Sequence, residues 1–180
     1  MFRTIFSLGL LAVSARADLV ATFTRDGKSD SRLDRFPALS VPLGEPATPF
    51  LTAGAFEATW KGKLVIPSRQ RVAFSFEGEG TAQLKIAGAE VLGRDGALAG
   101  EASKIIRLNS GEHDIEVTYK SKADGSGSLR LYWEETGFPR QTVPPSVFKA
   151  DADAAATLGE QHRSGRLAFA RQNCLKCHAS

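Results

Sequence analysis

From Asp18 to Lys149 apolar side chains recur at every second position in one short run after another, and this period constrains the fold more than any other feature of the chain. A strand sends successive side chains to opposite faces, so residues two apart share a face. Leu19 to Thr24 is a first short candidate. Phe56 to Trp60 alternates, Gly62 interrupts, and Leu64-Val65-Ile66 resumes before Pro67. Val72, Phe74 and Phe76 line one face, then Leu84 with Ile86, Ile106 with Leu108, Ile115 with Val117 and Tyr119, and Leu129 with Leu131 and Trp133. Glu77-Gly78-Glu79-Gly80 and Asp124-Gly125-Ser126-Gly127 read as turns between them. With no amphipathic helix between the runs, the pattern predicts an antiparallel β-sandwich or barrel. Between Ser29 and Pro49 the alternation weakens, and the Pro-rich stretch from Pro37 to Pro49 reads as an extended loop crossing the sandwich.

A length of 180 residues leaves room for one full domain with a small appendage, or two small domains. With 42% hydrophobic and 24% charged residues, the chain is neither disordered nor fibrous, and two cysteines are too few for a disulfide-dense scaffold. Residues 1–17 have the layout of a secretory signal: Arg3, an uncharged run from Thr4 to Val13, and small residues ending Ala15-Arg16-Ala17. That run is about half of what a membrane-spanning helix needs. A retained anchor or a buried strand is the competing reading. Loss of Arg3 and Arg16 lowers the formal charge from +3 to +1. A nearly neutral chain lacks the electrostatic term that dominates nucleic-acid binding, so nucleic acid is not an expected partner. A periplasmic or cell-surface location in a bacterium is expected, with no transmembrane helix.

Five segments in order carry a family resemblance: Trp60-Lys61-Gly62-Lys63-Leu64-Val65-Ile66-Pro67, Phe74-Ser75-Phe76, Leu84-Lys85-Ile86-Ala87-Gly88, Leu108-Asn109-Ser110-Gly111-Glu112-His113-Asp114-Ile115 and Leu129-Arg130-Leu131-Tyr132-Trp133. Together they resemble a PA14 domain from about Ala53 to Lys149, more loosely from Asp18. The resemblance implies a β-sandwich or barrel module of exported proteins, with carbohydrate as the implied ligand. Sugar-binding PA14 domains hold calcium with two adjacent aspartates ahead of the strand represented here by Leu84 to Ile86. The matching positions are Glu79 and Gly80, and a glycine supplies no carboxylate oxygen. Glu77 with Glu79 would ligate only if the turn folded both inward. Trp60 and Trp133 are either a sugar-stacking platform or core, and their alternation with the apolar face favours core.

After Lys149 the composition turns Ala-rich and polar, so residues 150–163 read as a linker. Helical spacing of Leu167, Ala168 and Arg171 begins at Ser164, a candidate N-cap. Cys174-Leu175-Lys176-Cys177-His178 then supplies the C-x-x-C-H arrangement of covalent haem c attachment. The spacing lets two thiols add to two vinyl groups of one porphyrin while the next residue presents an imidazole to the iron. Cys174 and Cys177 are the expected thioether positions, and His178 the axial ligand. A thioredoxin-like redox pair, a structural zinc site and an ordinary disulfide are the competing readings of the same cysteines. Gly165 to Asn173 resembles the first helix of a cytochrome c domain, which makes residues 164–180 an incomplete start of one.

Only 31 residues follow Lys149, too few to wrap a porphyrin, which leads to the expectation that this is the front part of a longer polypeptide or a truncated product. The one methionine is Met1, so no methionine remains as a sixth iron ligand once the signal is removed. His162 lies about 24 Å along a helix from His178, and His113 sits on the β module. The expected function is electron transfer by an exported haem protein with a redox partner protein, its β module supplying docking or carbohydrate binding. It reads as an electron carrier or part of a larger oxidoreductase rather than an enzyme in itself. The alternative is an exported binding or structural module that never receives haem.

Overall fold

The computed structural model describes residues 18–135, 137–151 and 154–171; residues 1–17, read as a secretory signal, and the C-x-x-C-H motif lie outside the described residues. Eleven strands and one α-helix follow in chain order: β1 (Leu19–Arg25), β2 (Lys28–Asp34), β3 (Ala38–Val41), β4 (Glu57–Ile66), β5 (Gln70–Ile86), β6 (Ala89–Ala97), β7 (Ile106–Leu108), β8 (Gly111–Lys120), β9 (Gly127–Glu135), β10 (Phe138–Thr142), β11 (Phe148–Lys149) and α1 (Ala154–Arg171). All pairings are antiparallel, in the path β10-β9-β5-β8-β4-β1-β2. The fold is therefore mostly β and antiparallel, as the alternation requires, with a helix at its C-terminal side.

One strand turns this path into a curled sheet. The first part of β5, Val72 to Glu79, pairs with β9, and the second part, Glu79 to Ile86, pairs with β8 and β6. The inner faces of the two parts share one apolar cluster that includes Phe23, Trp60, Phe74, Phe76, Leu84, Val117, Leu129 and Trp133. Phe23 meets Trp60 edge-on with ring centroids 5.9 Å apart, and Phe74 lies 6.5 Å from Trp133. The expectation that both tryptophans are core is met, for Trp60 is 0% and Trp133 4% exposed. Neither is available as a sugar platform.

The structure corrects several local expectations. Glu77-Gly78-Glu79-Gly80 is not a turn between strands but the middle of the 17-residue β5. Gly78 and Gly80 have φ of +129° and +130°, which bends the strand without ending it. Gly62 likewise lies inside β4, where a Cβ would stand 2.7 Å from the Lys149 carbonyl. The segment after Ser29 is no simple loop, because it contains β2 and β3. Residues 150–163, read as a linker, are helix from Ala154 onward, so α1 starts ten residues before Ser164. The Asp124 turn stands as expected, with the Ser126 N–H donating to Asp124 Oδ1 at 2.8 Å.

Candidate functional site

Two places bear on function: the bend in β5, where the expected calcium positions lie, and α1, which leads into Cys174. At the bend, register places Glu79 beside Ser128 of β9, and Thr81 beside Lys120 of β8. Glu79 takes a 2.7 Å ion pair from Lys122, whereas Glu77 accepts from Arg140 at 3.3 Å. Each carboxylate is thus engaged by its own cation, and the two are not folded onto a common point. A Cβ on Gly80 would stand 2.6 Å from the Lys120 carbonyl oxygen. The Tyr119 hydroxyl donates to the Glu79 carbonyl at 2.7 Å. Burial, with the Glu79 charge behind it, pushes the Tyr119 hydroxyl up to about 12, so it stays a donor at physiological pH.

Among the described residues no group of three or more His, Cys, Asp or Glu side chains is placed to hold a metal ion. Calcium should leave the melting temperature of the β body unchanged. Saturation of a specific site at 100 times its dissociation constant would add about 2.7 kcal/mol, an easily measured rise. A calcium-dependent rise abolished by Glu79→Ala would overturn this expectation.

The second place is built by one face of α1. Ala156, Gly159, Glu160, Arg163 and Arg166 recur at three- and four-residue spacing and so share a side of the helix. That side lies on β2, the last strand of the path. Ala156 is buried, and a Cβ on Gly159 would come 1.7 Å from the Ser31 carbonyl oxygen, so only glycine permits this approach. Glu160 Oε1 accepts the Leu33 N–H at 3.2 Å. Arg163 donates to the Ser31 carbonyl at 2.7 Å and to the Asp30 carboxylate at 2.6 Å. Asp30 Oδ2 belongs to a side chain only 5% exposed, so the guanidinium answers a buried negative charge. Arg166 reaches the Pro49 carbonyl at 2.7 Å, and Arg163 and Arg166 stand 5.5 and 5.3 Å over the Phe50 ring. These contacts occupy backbone groups of a terminal strand that would otherwise invite pairing with another chain.

Helix α1 is fastened to the body along this face, and its last described residue, Arg171, stands three positions before Cys174 in the sequence. Cys174, Cys177 and His178 themselves lie outside the described residues. Of the other two histidines, His162 lies on α1 with its ring centroid 6.5 Å from that of Phe50, and His113 lies on β8 with Nε2 2.8 Å from the Asn109 carbonyl. The docking face escaped the sequence reading because its signal, the spacing of Ala156, Gly159, Glu160 and Arg163, is polar and small rather than apolar.

No family model matches the chain, and no curated protein matches it. Solved structures do. A PA14 sugar-binding domain from an RTX adhesin superposes with a TM-score of 0.60 at 14% identity, over 76% of this chain and 99% of that one. The PA14 domain of the antifreeze protein MpAFP gives 0.59 at 10% identity, over 82% and 98%.

The fold is PA14-like.

An anti-sigma factor domain-containing protein from Clostridium clariflavum also superposes, with a TM-score of 0.65 at 18% identity, over 75% of this chain and 47% of its own length. The chain thus spans about half of that protein. At such identities the likeness concerns the PA14-like fold. No helix among the described residues is long and apolar enough to cross a membrane.

Proposed function

We propose that this chain is an exported c-type haem protein of electron transfer, whose PA14-like body is a docking or carbohydrate-binding module. One observation carries the link between the two halves: α1, which runs into the C-x-x-C-H motif, is clamped to the body through Gly159, Glu160 and Arg163. The motif's donor set fits haem c, since two thiols three positions apart precede an imidazole. When bound, haem supplies a one-electron iron couple whose potential the protein sets. Cys174 and Cys177 would hold it covalently and His178 would supply an imidazole nitrogen to the iron. Residues 164–180 resemble the start of a cytochrome c domain.

The test is expression with the bacterial haem-attachment machinery, followed by intact mass and a haem stain of the denatured protein. The expected product begins at Asp18 and carries one covalent haem. Cys174→Ala and Cys177→Ala should each leave a haem that acid-acetone removes or none at all, and His178→Ala should abolish maturation. A matured chain without any haem mass would leave the body as a binding module alone. A chain retaining Met1 would overturn the exported location.

A further inference from the structure

A cavity of about 680 Å³ lies on the outer side of β9, and its lining reaches Gly78 at the bend of β5. Its floor is made by outward-facing residues of β9, Ser128, Arg130 and Tyr132, together with Glu77 of β5. Its wall is the end of β2 and the following bend, Arg32, Asp34, Arg35 and Phe36. Register puts Arg130 between Ala38 of β3 and Glu77 of β5, so its side chain stands in the centre of the floor.

The charges in this cleft are unevenly matched. Arg32 is spent on Asp34, with contacts of 2.7 and 3.2 Å, and the Trp60 indole N–H donates to the same carboxylate at 3.0 Å. Arg140 reaches Glu77 and lies 3.7 Å over the Tyr132 ring. Hydrogen bonds from Tyr132 and then Arg140 hold the Glu77 carboxyl below the usual carboxylate range, so it stays an acceptor. Arg35 and Arg130 are exposed and make no close ion pair among the described residues, although Arg130 stands opposite Glu77 in the register and its charge also favours that carboxylate. The Phe36 ring, 38% exposed, stands on the rim.

We propose that this cleft binds an acidic saccharide, a chain of uronic acid units, with Arg35 and Arg130 taking its carboxylates. The inference rests on the carbohydrate reading of the body and gives it a place and a substrate class. Two unpaired guanidiniums present planar donor forks matched to carboxylates. Asp34 and Glu77 are fixed acceptors for sugar hydroxyls, and the Ser40 and Ser128 hydroxyls beside them either donate or accept. Phe36 offers an apolar face for a pyranose ring. A carboxylate, hydroxyls of both hydrogen-bonding senses and an apolar ring face meet in a uronic acid. A run of aspartates offers the carboxylates without the hydroxyls or the ring face.

Calorimetric titration of the full chain with tetragalacturonate, and with the same tetrasaccharide reduced to neutral galactose units, tests the proposal. Tetragalacturonate should bind, and the neutral sugar should bind at least about tenfold more weakly. Arg35→Gln and Arg130→Gln should each weaken tetragalacturonate binding about tenfold or more, the loss expected for a charge-assisted contact. Both side chains are exposed, so the melting temperature should hold. Equal binding of the two sugars, unaffected by either substitution, would overturn the cleft while leaving a saccharide-binding body in place. Absence of binding by both would overturn the cleft together with the carbohydrate reading. Equally tight binding of tetraaspartate would show attraction to charge alone and also overturn the proposal.

Discussion

Gly78→Val should destabilise the β body by about 3 kcal/mol or more, with the urea midpoint falling accordingly. Gly78 has φ of +129°, where a β-branched residue is strained, and its Cβ would stand 2.1 Å from the Ser128 carbonyl oxygen. That oxygen belongs to β9, the strand paired with the first part of β5. The clash therefore cannot be relieved by turning a side chain; it must separate two strands or straighten the bend that lets β5 serve both parts of the sheet. Gly88→Ala is the matched control, because Gly88 also has positive φ, +80°, but nothing stands within 4 Å of its Cβ. It should cost about 1 kcal/mol, from backbone conformation alone. Equal midpoints for Gly78→Val and Gly88→Ala would show that the bend is not a close-contact corner.

Arg163→Ala should release α1 from the body while leaving the sheet folded. The substitution removes the cation facing Asp30, whose side chain is 5% exposed, and the donor to the Ser31 carbonyl. Removing one member of a fully buried pair costs about 3–5 kcal/mol; Arg163 is itself 20% exposed, so a cost of about 2–3 kcal/mol is expected. An 18-residue helix with an unremarkable apolar face has little stability of its own once undocked. Hydrogen exchange should therefore rise sharply in peptides covering residues 154–171 and stay slow in β5 and β8. Asp30→Asn combined with Arg163→Ala should recover part of the loss, since the unpaired buried charge is then gone. Gly159→Val, which sets a Cβ 1.7 Å from the Ser31 carbonyl, should produce the same exchange pattern by a steric route. Unchanged protection of residues 154–171 in both variants would mean that the helix is held by something other than this face.

Much of the sheet was legible because its signal is local. In β8 and β9 the alternation of Ile115, Val117 and Tyr119, and of Leu129, Leu131 and Trp133, states which side faces inward, and all six are buried. In β2 the sequence Lys-Ser-Asp-Ser-Arg-Leu-Asp carries no such signal. Asp30 and Ser31 are buried there because a helix more than 130 positions later lies on them. For the same reason an Ala-rich, polar stretch reads as linker by its composition but is helix in its tertiary setting. The proposed haem-attachment residues Cys174, Cys177 and His178 show the opposite case, a reading that rests entirely on spacing within five positions.

The cleft on β9 belongs to the tertiary structure alone. Arg35 and Arg130 are 95 positions apart, and nothing in their neighbourhoods marks either as different from Arg32 or Arg140. Arg32 is spent locally, on Asp34 two positions along β2, whereas only the tertiary pairing of β10 with β9 and of β9 with β5 brings Arg140 to Glu77 and sets Arg130 in the same cleft. The sequence by itself determined the strand faces, the core tryptophans and the attachment motif, because strand periodicity and motif spacing act over a few residues. The bend of β5, the seat of α1 and the unpaired cations were decided by the tertiary structure, because each depends on backbone and charge brought from distant parts of the chain.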